Sequence, residues 1–224
     1  MLLLPLGCTL FGPQFEPEID TPEMRADQLT SRFVAAPQGR MHVVVAGRPS
    51  PAEARVLFVH GSPGTWDGWK GYLEDPELRA AARLLAPDRL GFGGSERGRA
   101  EPSLASQAAA LAAVLESEPG PPAVVVGHSL GGPIAARLAI DRPDLVAGLL
   151  LVAPSIVVQG LADDLVPPGN ADFAELRLAP GKVRIDRYPG ENHFILWKRP
   201  ETVRKPLLDL LSGAGWPRSE GDAP

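Results

Sequence analysis

Apolar residues follow two alternating rhythms along this chain. Short solid runs, many of them β-branched, are separated by segments in which apolar residues return every three or four positions. Arg55-Val56-Leu57-Phe58-Val59 and Val124-Val125-Val126 are of the first kind, the pattern of strands buried on both faces. Ala82–Ala86, Ala147–Ala153, Ile156–Gln159 and Val183–Tyr188 read as further strands. Arg32–Ala36 and Arg40–Ala46 flank Pro37-Gln38-Gly39 and predict an antiparallel hairpin. The second rhythm runs through Leu104, Ala108, Leu111 and Leu115, which form one face of a helix. A helix-like segment carries Trp66 and Trp69. Another begins near Leu130, where Pro133 falls in the first turn and is tolerated, and where Ala135, Ala136 and Ala139 allow close packing on a sheet. Strands alternating with helices predict an α/β fold: a mostly parallel sheet with helices on both faces and an antiparallel hairpin at its N-terminal end.

At 224 residues the chain suffices for one well-filled domain, expected over 31–215. Residues 216–224 read as a disordered tail. Residues 1–30 read as an apolar leader and a tether, since Pro13, Pro17 and Pro22 stand among acidic and polar residues without a period. The net charge of −5, with no lysine/arginine stripe, excludes a nucleic-acid partner. The single cysteine, Cys8, ends the leader Met1-Leu2-Leu3-Leu4-Pro5-Leu6-Gly7. Two readings stand. Cys8 is the lipidated residue of a bacterial lipoprotein signal, exported and anchored to a membrane, or it is incidental and the protein is cytoplasmic. A basic segment and a full-length apolar run before Cys8 are missing. No stretch is long enough to span a bilayer.

The chemistry gathers where predicted strands end. Val126 runs into Gly127-His128-Ser129-Leu130-Gly131-Gly132, a β-branched strand turning abruptly through Gly-x-Ser-x-Gly into a small-residue helix. That is the sequence form of a nucleophile elbow, whose strained turn requires nearly side-chain-free neighbours two positions either side, here Gly127 and Gly131. His60-Gly61 and Asp88 also lie just past strand ends, where functional loops of a parallel sheet collect.

His60-Gly61-Ser62-Pro63-Gly64, Asp88-x-x-Gly91-x-Gly93-x-Ser95, Gly127-His128-Ser129-Leu130-Gly131-Gly132, Gly160-Leu161-Ala162-Asp163 and Glu191-Asn192-His193-Phe194 occur in this order. Together they resemble the α/β-hydrolase family over about residues 30 to 215. The resemblance implies a serine hydrolase acting on an ester-like small-molecule acyl substrate. Serine needs an adjacent base, and His193, in a late loop, is the candidate. A carboxylate must orient that imidazole. Asp163 fits by its Gly-x-x-Asp spacing, with the adjacent Asp164 as the alternative, and the chain order Ser, Asp, His suits this fold. The resemblance places the oxyanion-hole donors at the backbone N–H groups of Ser62 and Leu130.

His60 is expected to brace the oxyanion loop, His128 to support the turn, and Asp88 to tie its loop to neighbouring backbone. His42 is expected to face the surface. Trp66, Trp69 and Trp197 either line a substrate cavity or belong to the core, with core the commoner fate. No His/Cys/carboxylate cluster has metal-ligand spacing, so no metal or cofactor is expected. A serine rather than an aspartate at the elbow argues against epoxide-hydrolase or dehalogenase chemistry. The remaining alternatives are perhydrolase or C–C hydrolase chemistry with the same triad, and a non-catalytic binding protein of this fold.

One departure from the family stands out. Ala147–Ala153 passes through Pro154-Ser155 straight into Ile156–Gln159, whereas joining neighbouring parallel strands takes a dozen or more residues. The expectation is a missing cap and crossover near 154–156, with an open site. The other outcomes are one kinked strand, or a seventh strand lost from the sheet.

Overall fold

The computed structural model describes residues 21–48, 54–95, 101, 103–153, 159–160, 187–188 and 191–212. After a short helix α1 (Pro22–Ala26), the predicted hairpin forms from β1 (Thr30–Ala36) and β2 (Gly39–Ala46), paired antiparallel. Next come β3 (Ala54–Val59), a 3-10 turn (Trp66–Trp69), α2 (Lys70–Leu73), α3 (Pro76–Ala81) and β4 (Ala82–Pro87). Then follow α4 (Leu104–Glu116), β5 (Ala123–His128), α5 (Gly131–Asp141) and β6 (Val146–Val152). Two-residue strands β7 (Gln159–Gly160) and β8 (Arg187–Tyr188), α6 (Ile195–Lys198) and α7 (Glu201–Leu211) complete the described elements.

The main sheet has six strands in the order β1-β2-β4-β3-β5-β6. β2 runs antiparallel to β4, while the pairs β4–β3, β3–β5 and β5–β6 are parallel. This is the predicted α/β architecture. Alternation of side chains along each strand divides the core in two. Val56, Phe58, Val124 and Val126 pack with α2, α3 and α7 through Leu73, Leu78 and Leu207. Leu57, Val59 and Val125 face the other way, onto Leu111 of α4 and Ile134 and Leu138 of α5. Each such fully buried side chain contributes roughly 1.5–3 kcal/mol.

Local chemistry sets the helix starts. The Asp75 carboxylate accepts from the N–H groups of Glu77 and Leu78, both at 2.9 Å, ahead of Pro76 at the first turn of α3. Ser103 caps α4 by accepting from Ser106 N–H. By contrast, α5 starts at Leu130 with no side-chain cap. Among the described residues no helix is long and apolar enough to cross a membrane.

Residues 153–158 separate β6 from β7, too short a connection for a crossover returning to the start of a parallel neighbour. β7 pairs parallel with β8 in a separate two-stranded sheet. The leader with Cys8, the junction 154–156, both acid candidates Asp163 and Asp164, and the tail 216–224 lie outside the described residues.

Two expectations are corrected or sharpened by packing. His42 does not face the surface: it is 3% exposed, because β2 lies inside the sheet and both of its faces are covered. Trp69 is core at 1% exposure, stacked on Phe58 with ring centroids 5.0 Å apart.

Candidate active site

Three strand ends and one late loop converge on Ser129. β5 stops at His128, and the next residue, Ser129, has φ +50°, a conformation costly for a residue with a Cβ. Its N–H donates to Val152 O at the end of β6 (3.1 Å), and its carbonyl accepts from Gly132 N–H (2.9 Å). The glycines around it are there for space. A Cβ on Gly127 would lie 2.7 Å from Gly131 O, and one on Gly131 only 2.2 Å from Val59 O. A Cβ on Gly61 would come within 2.8 Å of Ser129 Cβ. The helix α5, the end of β3 and the loop after it therefore close on the serine with no room for a methyl group. Ser129 itself stays half-buried, while the next residue, Leu130, is 38% exposed.

The loop after β3 is held by a buried pair. Arg89 donates from its backbone N–H to His60 Nε2 (2.9 Å), and its guanidinium donates to His60 O and Gly61 O, both at 2.9 Å. His60 Nδ1 lies 2.8 Å from Gly61 O. Since Nε2 accepts and Nδ1 faces a carbonyl, the ring is neutral with its proton on Nδ1. The Arg89 guanidinium lies over Phe92 at 4.4 Å. This arrangement fixes the chain immediately before Ser62, one of the two candidate oxyanion donors.

The ring's surroundings give it a pH signature. Burial, aided by the Arg89 charge, pushes the His60 pKa down to about 4 from the usual 6.5. At pH values above 6.5 neither folded nor unfolded chain binds this proton, and stability is whole. As pH falls from 6.5 towards 4, the unfolded chain alone takes it up, so stability declines. The melting temperature is expected to drop across that window, by the equivalent of up to about 3 kcal/mol. Melts from pH 7 to 4 check this, and the drop should flatten in His60→Asn. Equal slopes in the two proteins would refute the assignment.

Asp88 is a second anchor, 1% exposed. Its carboxylate accepts from Trp66 N–H (2.7 Å), Gly94 N–H (2.7 Å) and His42 Nδ1 (2.8 Å). His42 Nε2 in turn lies 2.6 Å from Ser31 Oγ. Ser31, His42 and Asp88 thus form a hydrogen-bonded chain with the connectivity of a triad. Its members sit otherwise: Ser31 occupies a regular position in β1 opposite Val44, and two backbone amides also hold the carboxylate. The chain joins the hairpin, the Trp66 segment and the glycine turn at 93–94. Sequence reading missed Ser31 and Arg89 and placed His42 at the surface; the only signal of these roles was a polar side chain inside an apolar strand or beside Asp88.

His193 reaches this region from the chain's far end. It is 7% exposed, its ring centroid is 5.0 Å from that of His128, and His128 Nε2–H donates to His193 O at 3.3 Å. The imidazole is therefore brought beside the residue preceding Ser129. Trp197 packs edge-on against His128 at 5.1 Å, and its indole N–H donates to Gly68 O at 2.9 Å. The orienting acid, Asp163 or Asp164, lies outside the described residues.

The chain matches the alpha/beta hydrolase fold family over residues 54–200. It is 40% identical over 121 residues to Lipase LipV of Mycobacterium tuberculosis, covering 54% of this chain and 44% of that protein. Epoxide hydrolase B of the same organism is 29% identical over 190 residues, covering 79% of this chain and 52% of the relative. With 2-hydroxymuconate semialdehyde hydrolase of Pseudomonas sp. strain CF600 the identity is 35% over 174 residues, covering 74% and 55%. The chain spans about half the length of the curated relatives it matches. Among solved structures, a predicted CIB-like hydrolase from Thermoplasma acidophilum superposes with a TM-score of 0.71 at 21% identity, covering 83% of this chain and 98% of that one.

Proposed function

Because the chain belongs to the alpha/beta hydrolase fold family, we propose that it is a serine hydrolase that cleaves an ester-like acyl substrate through an acyl-enzyme on Ser129. The supporting observation is the strained serine itself. It stands at φ +50° at the end of β5, crowded by three glycines, with the His193 ring 5.0 Å from that of its neighbour His128. Strain of this kind persists only where surrounding structure over-determines it, and it concentrates at working sites.

In this reading Ser129 Oγ attacks the acyl carbon as His193 takes its proton. The tetrahedral oxyanion is met by the N–H groups of Ser62 and Leu130, a contribution of a few kcal/mol. The carbonyl reforms as the alcohol leaves with the proton from His193. Water then repeats the sequence and frees the acid. Asp163, with Asp164 as the alternative, holds the imidazole tautomer. The same nucleophile serves a C–C bond hydrolase, a reading favoured by the likeness to the semialdehyde hydrolase. A serine at the elbow argues against the aspartate-nucleophile route to epoxides.

A fluorophosphonate probe tests the proposal directly. Covalent labelling mapped by mass spectrometry to Ser129 is expected. Labelling at Ser31, or none on folded protein, would overturn it in favour of the buried hydrogen-bonded chain or of a non-catalytic binding protein.

A further inference from the structure

Three of the nine aromatic side chains among the described residues are core: Phe58, Trp69 and Tyr72 are all at 5% exposure or less. Phe194 and Trp197, just after His193, are 51% and 48% exposed. Exposure alone would be unremarkable, but this indole is built in. Its N–H is tied to Gly68 O at 2.9 Å, and the ring lies against Gly68, close enough that a Cβ there would touch Trp197 Cζ2 at 3.4 Å. His128 closes its inner side at 5.1 Å, and Phe194 extends its surface at 5.8 Å and 37°. A half-exposed aromatic surface fixed by a hydrogen bond and packed against an imidazole has little conformational entropy left to lose. An apolar ligand group can therefore dock on it without first ordering it.

The location decides which part of a substrate lies there. Phe194 stands edge-on to His193 at 6.0 Å, and Trp197 packs against His128, whose ring lies 5.0 Å from that of His193. In ester cleavage the departing oxygen must face the imidazole that protonates it, so its substituent extends past the rings beside that imidazole. Resting on the serine-hydrolase reading above, we infer that Trp197 and Phe194 form a leaving-group subsite that selects esters of apolar alcohols, aliphatic or aromatic.

Two ester series separate this from a general apolar preference: methyl, butyl and hexyl acetates, and methyl acetate, butyrate and hexanoate, followed by acid release in a pH-stat. In the first series kcat/KM is expected to rise by up to about fourfold per added methylene, the factor for fully burying one CH2. Trp197→Ala is expected to lower the hexyl-to-methyl acetate ratio by tenfold or more, on the order of what a hydrophobic pocket discriminates. The hexanoate-to-acetate ratio in the second series should stay put. Trp197→Phe, which keeps a ring but gives up the N–H bond, should retain most of the ratio and guards against simple collapse, with melts run in parallel. A ratio unchanged by Trp197→Ala, or a shift confined to the acyl series, overturns the inference. Should the wild type cleave neither series, the serine-hydrolase reading itself fails. The wall is then read by 2-naphthol fluorescence with Ser129→Ala: binding lost on adding Trp197→Ala keeps the subsite, and no binding ends it.

Discussion

Ser129→Ala is expected to lower ester turnover by a factor on the order of 10⁴–10⁶ while leaving the fold in place. The magnitude follows from what remains. Without Oγ no acyl-enzyme forms, and only substrate binding and the oxyanion donors act on the reaction with water. The fold tolerates the change because Ser129 is held by its backbone, through Val152 O and Gly132 N–H. The alanine must adopt the same φ of +50°, which the serine already endures, so the stability change should stay within about 1 kcal/mol. Hydrolysis of p-nitrophenyl acetate, measured beside a thermal melt, reads both quantities. A folded variant keeping more than a few per cent of wild-type turnover would remove Ser129 from the mechanism and leave only the fold assignment.

Asp88→Ala should be strongly destabilising, costing about 3–5 kcal/mol. The carboxylate is 1% exposed and receives the amides of Trp66 and Gly94 and the Nδ1 proton of His42. Deleting it strands one buried donor, His42 Nδ1–H, at roughly 1–3 kcal/mol of desolvation penalty, and two partly buried amides that add less. It also opens space beside Gly93, where the carboxylate occupies the position a Cβ would take. Asp88→Asn keeps the volume and one acceptor, so its loss should be smaller. Urea unfolding of the two variants checks the ordering. A loss under 1 kcal/mol for the alanine variant would mean that water replaces the carboxylate and that the three segments are not tied through it.

The strands and their order of use were legible because their signal is local. Val124–Val126 is β-branched, ends in glycine, and lies between helical patterns, so both its burial on two faces and its turn could be read. The same locality hid His42. In a strand buried on both sides there is no polar face for a polar residue to mark, and its partners, Ser31 and Asp88, arrive from 11 and 46 residues away. Trp66, Trp69 and Trp197 looked equivalent in sequence. Only packing separates a core indole from one seated half-open on Gly68. The short passage from β6 to β7 was legible as a conflict with parallel-strand geometry; β7 pairs with β8 outside the six-stranded sheet, and the junction at 154–156 lies outside the described residues. Asp163 and Asp164 were chosen by spacing, and the described residues do not include them.

The bare start of α5 has a consequence for how stability and chemistry are coupled. α3 and α4 close their first turn with an aspartate and a serine, whereas α5, like α2, α6 and α7, has no side-chain cap; Ser129 O takes the Gly132 N–H, and the partial positive charge that the aligned peptide dipoles place there lies beside Leu130. The molecule forgoes about 1 kcal/mol of capping at that point. In the proposed mechanism the oxyanion would arrive at this point and take the place of a cap, so the helix would be best satisfied only during turnover.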